Sequence, residues 1–314
     1  MSRKFELEAL EAELSAISEL LKEAAAVNDP VGCIQFEQRR TELEAQIQAL
    51  RNANITEASV RLYFKGAPVI DSRGIEAGFA GKALGDFQEI ISRQFAKSEL
   101  GSLGERGPVP LKDATALMVT GVALGSFGFL LDEIPDQPQM LDTVLKETLG
   151  EVMDIIDAAG SDNDVNFEGA AEEIDSRTLI ALRQFFIDLD SNKATIRFVS
   201  DLRDFSLDEG AIHRARIRTE ATQIEETDTE KSGILIGFLP EHRRFELQLT
   251  PGELIYGSAT KESTEQYRAT MVAGSRAIGV KCTAKFNERI IKPLNRPQKR
   301  VYRLLEFVEI GQKE

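Results

Sequence analysis

Tryptophan is absent from this 314-residue chain, histidine occurs only as His213 and His242, and cysteine only as Cys33 and Cys282. Each scarcity narrows the functions open to it. Histidine is the usual acid–base group near neutral pH, so a Ser-His-Asp triad has two places to start. His242 reads as an exposed turn residue and His213 as a helix-surface residue, and no Gly-x-Ser-x-Gly elbow accompanies either. Two distant cysteines make neither a disulfide framework nor a clustered zinc site, and they predict a reducing, cytoplasmic setting. The apolar stretch from Ala114 to Leu131 is broken by Gly and Thr, so no membrane span is expected. The N-terminus lacks the apolar core of a secretory signal. Gly121, Gly125 and Gly128 are followed by no Gly-Lys-Ser/Thr, which removes the phosphate-loop reading. No cofactor, resident metal or catalytic residue is expected.

Hydrophobic residues make up 42% of the chain and charged residues 29%, a globular composition. Seventeen phenylalanines without tryptophan predict an aliphatic, Phe-rich core. The formal net charge of −14 opposes non-specific attraction to nucleic acid or an anionic membrane.

The clearest pattern opens the chain. Leu7, Leu10, Leu14, Ile17 and Leu21 recur at alternating spacings of three and four, the seam of a coiled coil. Asn28-Asp29-Pro30 ends this helix and starts another, with Asp29 as N-cap and Pro30 in the first turn. The second helix carries Phe36, Leu43, Ile47 and Leu50. So short a connection makes the two antiparallel neighbours. An antiparallel helical hairpin is therefore expected over 1–53, with Leu7, Leu10, Leu14, Ile17, Leu21, Leu43, Ile47 and Leu50 as its interface residues.

Alternation of Val60, Leu62 and Phe64 with polar neighbours predicts a strand, a turn at Gly66 and a short second strand. Helix follows over 74–98. Two strands, or one bent at Gly125-Ser126, occupy 114–134. Helices are expected over 138–159 and 176–189, with a strand over 195–199. Ser206-Leu207-Asp208-Glu209 fits a capping box, predicting a connecting helix within 201–227. Beyond it, strands near 233–239, 244–249, 253–257, 277–286 and 300–309 have the spacing of a small SH3-like or OB-like barrel. The fold class is thus α+β, in four parts: hairpin 1–53, α+β domain 57–200, connecting helix 201–227 and small β-barrel-like domain 228–314.

Asp162, Asp164, Asn166 and Glu173 fall at positions one, three, five and twelve of a calcium loop, but Phe167 stands where that loop needs glycine. A solvated acidic loop is the expectation. Arg214, Arg216 and Arg218 would form an anion-binding comb on a strand, whereas on a helix they spread around the cylinder. The most basic stretch carries Lys281, Lys285, Arg289, Lys292, Arg296, Lys299, Arg300 and Arg303 against one acid, Glu288, with Phe286 and Tyr302 interleaved. A basic face with aromatic platforms on a small barrel suits single-stranded nucleic acid. The same face could be solvated or could dock an acidic protein surface.

Three functions follow. The first is a non-catalytic assembly subunit that forms a homo-oligomer or a hetero-complex with a partner protein through the hairpin. The second is nucleic-acid binding through residues 281–303. The third is an enzyme of a kind that leaves no motif, such as a carboxylate-only hydrolase, which would require a deep pocket with convergent acids. The hairpin pattern favours the first. No membrane partner is expected.

Overall fold

The computed structural model describes residues 3–26, 28–52, 56–101, 107–123, 127–135, 141–201, 203–249, 252–272, 277–293 and 297–310. The side chains of Leu7 and Leu50, the whole of Arg296 and the expected strand break at Gly125-Ser126 lie outside the described residues. The fold is mixed α+β, beginning with helices. No helix among the described residues is long and apolar enough to cross a membrane.

Helices α1 (Arg3–Ala26) and α2 (Pro30–Asn52) pack antiparallel on each other and make no extensive contact with another described element. Asp29 caps α2: its carboxylate accepts from the N–H groups of Val31 and Gly32, both at 3.1 Å. Across the hairpin, Arg39 and Glu13 form an ion pair at 2.7 Å. On α2, Leu43 and Ile47 are buried. On α1, Leu10, Leu14, Ile17 and Leu21 are only half-buried.

The central domain has a sheet backed by helices. Its strands are β1 (Ser59–Gly66), β4 (Met118–Ala123), β5 (Phe127–Asp132), β6 (Ala194–Val199) and β7 (Asp204–Leu207), in the order β4-β5-β1-β6-β7. All neighbours are antiparallel. A separate small ribbon pairs β2 (Val69–Ile70) with β3 (Gly74–Ile75). Helices α3 (Ala77–Leu100), α4 (Val144–Gly160), α6 (Ser176–Ser191) and α7 (Glu209–Ala221) pack on one another beside the sheet, with the short α5 (Asp164–Glu172) against α4. Their apolar stripes meet Val60, Leu62, Phe64, Ile196 and Phe198 of the sheet in one core. The core is Phe-rich, as composition predicts: Phe64 meets Phe79 edge-on at 5.5 Å, and Phe87 lies 5.7 Å from Phe198.

Several boundaries differ from expectation. Residues 201–227 are not one connecting helix. Asp204–Leu207 forms β7 on β6, and Gln223 already begins the long β8 (Gln223–Leu239). The cap of α7 is Asp208, which accepts from Ala211 N at 2.7 Å, so the apparent capping box at Ser206 is strand. Helix α3 starts at Ala77, because Gly74 and Ile75 are taken by the small ribbon, and α4 starts at Val144, leaving Leu141 exposed.

Strands β8, β9 (Arg244–Leu249), β10 (Leu254–Ala259), β11 (Lys281–Lys292) and β12 (Lys299–Ile310) close into a barrel in the order β10-β12-β11-β8-β9. An unexpected helix, α8 (Lys261–Val272), joins β10 to β11 and packs on β12. Its first turn is capped by Thr260, which accepts from Ser263 N at 3.2 Å. The barrel has its own core around Leu235, Phe245, Leu247, Cys282, Phe286 and Leu304. Burial there pushes the Cys282 thiol up to about 11, which keeps it unreactive at neutral pH.

Closure rests on β10 pairing in parallel with β12, where Gly257 faces Tyr302. A Cβ at Gly257 would stand 1.9 Å from the Tyr302 carbonyl oxygen and 3.3 Å from the Phe245 ring. Gly257→Ala is therefore expected to cost about 3 kcal/mol, the upper end of the range for overpacking. Urea denaturation measures this, and unchanged stability would mean that the ring does not close at this contact.

Candidate functional site

The basic stretch does not form one exposed surface. Lys285 pairs with Glu306 at 2.6 Å and Arg300 with Glu288 at 3.1 Å, while Lys292 pairs with Glu225 and Lys299 with Glu172. Lys281 is exposed on β11. Arg289 and Arg303 are buried. The expected aromatic platforms are unavailable to a ligand, since Phe286 and Tyr302 both point into the barrel core. Strand alternation explains Phe286 and Tyr302. The burial of Arg289 and Arg303 has another cause: the central domain covers them.

The junction is built around the C-terminal end of α5, where helix geometry leaves carbonyl groups without intrahelical donors. Cations from both domains meet these carbonyls. Arg289 of β11 donates to Glu172 O at 2.7 Å and also to Ile174 O, and Lys97 of α3 donates to Glu173 O. The side chains of the same turn are engaged as well, Glu172 by Lys299 and Glu173 by Arg244 at 3.7 Å. Next to them, Asp175 caps α6 by accepting from Thr178 N at 2.7 Å, and Glu226 of β8 accepts from Ser176 N at 2.7 Å. Positive charge at a helix C-terminus is favourable; Arg289, Lys299, Arg244 and Glu226 tie the barrel to this turn, and Lys97 ties α3 to it.

Three cations are thereby brought together in low dielectric. Burial, followed by repulsion from Arg289 and Arg303, pushes the Lys97 ammonium down to about 7. Burial and then Arg289 bring the Arg303 guanidinium down to about 10. Arg289 is lowered too, chiefly by burial, with Glu226 and Glu173 opposing.

Beside this cluster lies a cleft of about 350 Å³ between α3, α4 and the barrel. Its barrel wall carries Arg243, Arg244 and Arg303, and its helical wall carries Gln94, Thr148, Glu147 and Glu151. Lys97, Glu173 and His242 also line it. Gln94 Nε2 donates to Glu151 at 2.9 Å. Two buried atoms here have no hydrogen-bond partner: Arg303 Nε and Gln94 Oε1.

Sequence reasoning missed this site, although one signal was present. Phe87, Ile90, Gln94 and Lys97 continue the three-and-four spacing of the α3 stripe, so a glutamine and a lysine occupy positions on its buried face. Arg303 had no such signal. It alternates outward from the barrel core between Tyr302 and Leu304, and only domain docking buries it.

The other candidate residues are accounted for structurally. Arg214, Arg216 and Arg218 lie on α7 and each meets an acid: Asp162 at 2.7 Å, Asp190 at 2.8 Å and Asp164 respectively. Two oxygen ligands of the calcium-like loop are thus spoken for by arginine. Among the described residues no group of three or more His, Cys, Asp or Glu could hold a metal ion. His213 lies 3.2 Å from Asp190. One carboxyl pair not evident from sequence does form: Asp86 on α3 meets Asp188 on α6. Burial, then the hydrogen bond to Asp188, pushes Asp86 up to about 7, while Lys82 holds Asp188 at 2.6 Å.

Comparison of the chain with protein-family models, with curated proteins and with solved structures finds no match.

Lys97 sets a measurable pH dependence. Its folded pKa near 7 lies below its unfolded value of about 10.4. Between those values the unfolded chain binds the extra proton, so the contribution of Lys97 to stability rises with pH. The melting temperature of the native protein, measured relative to Lys97→Met, is expected to climb from pH 7 to pH 10. A difference that stays flat would mean that burial does not hold the Lys97 ammonium below its ordinary range.

Proposed function

We propose that this chain is a non-catalytic assembly subunit that associates through its N-terminal helical hairpin, with a second copy or with a partner protein. The observation carrying this reading is the asymmetry of the hairpin. Leu43 and Ile47 of α2 are buried, yet Leu10, Leu14, Ile17 and Leu21 of α1 stay half-buried. Leu20, Val31 and Ile34 are exposed outright. Two helices leave apolar area that a third or fourth would cover. The four-part division of the chain and its cytoplasmic setting belong to the same proposal.

Light scattering after size exclusion tests it. The full chain is expected to run as a defined oligomer, and the double variant Leu20→Glu, Ile34→Glu as a monomer with an unchanged circular dichroism spectrum. A full chain that is monomeric at about 100 μM, well above a Kd of about 1 μM or roughly −8 kcal/mol, would leave self-association without support.

The barrel supports a second reading, nucleic-acid binding, by a route other than residues 281–303. Its fifth strand is inserted between the third and fourth in one closed ring, which favours the OB-like over the SH3-like alternative. The second and third strands of such barrels form the ligand face. Here that face, β9 and β10, borders an open groove of about 520 Å³ with Tyr256 exposed and Arg244 beside it. Glu246 pairs across from Tyr256 and weighs against phosphates. If the reading holds, a fluorescent single-stranded oligonucleotide binds with a steep salt dependence, and Tyr256→Ala weakens it about tenfold or more. Binding unaffected by that substitution would exclude this face. A hydrolase reading is weaker, because Glu151 is engaged by Gln94 and Glu173 by Arg244.

A further inference from the structure

We infer that the outward face of α2 docks a second copy of this chain, whose own α2 lies along it in parallel. It rests on the assembly reading, to which it adds the occupant and the face. Three observations carry it.

The first is a second seam. Leu43 and Ile47 are buried on the inner side of α2. On the opposite side Val31, Ile34, Gln38, Thr41, Ala45 and Gln48 recur at alternating spacings of three and four, and all six are exposed. Such spacings keep a row of residues on one side of a helix, so this is a complete a/d stripe. Its two apolar members lie near the hairpin turn, Val31 at 62% and Ile34 at 68% exposure. Among the described elements outside the hairpin, none packs extensively on it.

The second is charge. The chain carries −14, so two copies repel over most of their surface. Helix α1 shares that excess, with six glutamates against three basic residues, whereas α2 has three arginines against three glutamates. Each of those glutamates meets an arginine of the same helix: Glu37 and Glu44 meet Arg40 at 3.6 Å, and Glu42 meets Arg39 at 3.3 Å. The stripe itself has no ionisable side chain. Between residues 24 and 36 the only charged side chain is Asp29, and it is engaged as the cap of α2. A charged partner helix would find no counter-charge on this face, while an uncharged one brings no charge that needs an answer.

The third is self-complementarity. In a parallel two-fold pair each position of the stripe meets its own counterpart. Val31 and Ile34 then cover the same two residues of the second copy. The Gln38 amide, a donor and an acceptor, exchanges hydrogen bonds with its counterpart, and Ala45 lets the helices approach. A polar residue at one such position fixes the register. An antiparallel pair centred on the stripe would instead set Val31 against Gln48. From Val31 to Ala45 and Gln48 the contact runs about 26 Å at 1.5 Å per residue. That is short of a standard interface, so the dimer is reversible and dependent on concentration.

Light scattering after size exclusion of the full chain, from about 1 to about 100 μM, tests the proposal together with variants. Gln38→Glu sets like charges face to face and is expected to raise the dimer dissociation constant about tenfold or more. Gln46→Glu makes the same change on α2 away from the stripe and is expected to leave the constant within about twofold, as for an exposed surface charge. Should Gln38→Glu lose helix content by circular dichroism, Thr41→Glu on the same stripe replaces it with the same expected direction. Orientation is read by cross-linking in a Cys33→Ser background, where the remaining Cys282 is buried. Ala45→Cys is expected to give a reducible disulfide-linked dimer on mild oxidation, because the parallel register brings this position onto itself. Glu23→Cys, exposed on α1, is expected to stay unlinked. If the native chain dimerises but the stripe variant leaves the constant unchanged, or Ala45→Cys fails to cross-link, the assembly reading stands and this inference falls. A native chain monomeric over the whole range overturns it together with self-association.

Discussion

The last turn of α5 is where the two domains are made into one object. A helix C-terminus presents carbonyl oxygens that its own backbone cannot satisfy. Here Arg289 reaches from the barrel, and Lys97 from α3, to supply the missing donors at Glu172, Glu173 and Ile174. The interaction is stringent because each partner is buried: withdrawing the barrel would strand the carbonyls, and withdrawing the carbonyls would strand two desolvated cations. Losing one side of such a contact leaves the other unpaired in low dielectric, which is far more costly than the net value of the contact. The relative placement of barrel and central domain, the cleft between them and the burial of Arg303 all follow from this junction.

That junction also reassigns the chain's most basic stretch. Read along the sequence, eight cations against one acid suggest a surface for a polyanion. In the fold, the acids they answer are supplied from elsewhere: Glu225 from β8, Glu172 from α5 and Glu306 from the neighbouring strand β12. Within this stretch Arg289, Arg303 and Lys299 face the central domain, whereas Lys285, Lys292 and Arg300 pair with acids of the barrel itself. Arg303, buried at the same junction, lines the cleft together with Lys97 and Glu173.

The hairpin is the counterexample in the same molecule. Its contacts are local in sequence, its cap is Asp29 as expected, and it packs on itself without depending on the domain junction. The half-buried state of Leu10, Leu14, Ile17 and Leu21 is the mark of a stripe wider than one neighbouring helix can cover.

Much of the architecture was legible from periodicity. The hairpin, β1, the main helices and most barrel strands followed from spacings of 3.6 and 2, because in each the buried face is decided by neighbours close in sequence. The misreadings occurred where two local rules competed. Ser206 begins a convincing cap signature but is drawn into β7 by pairing with β6, and Thr260 caps a helix whose weakly apolar face gave little periodic signal. The Gln94–Lys97 extension of the α3 stripe was readable and pointed to the site.

Composition and periodicity by themselves determined the mixed α+β class, the two N-terminal helices and the Phe-rich core. Tertiary structure alone decided which of the cations in 281–303 are exposed, that α7 is pinned by the acidic loop, and that Arg303 and Gln94 share a cleft. The physical reason is range. Amphipathic pattern is set by contacts within a turn or a strand pair, whereas burial of a charge depends on elements more than a hundred residues apart, as Arg289 and Ile174 are, and no local spacing records that meeting.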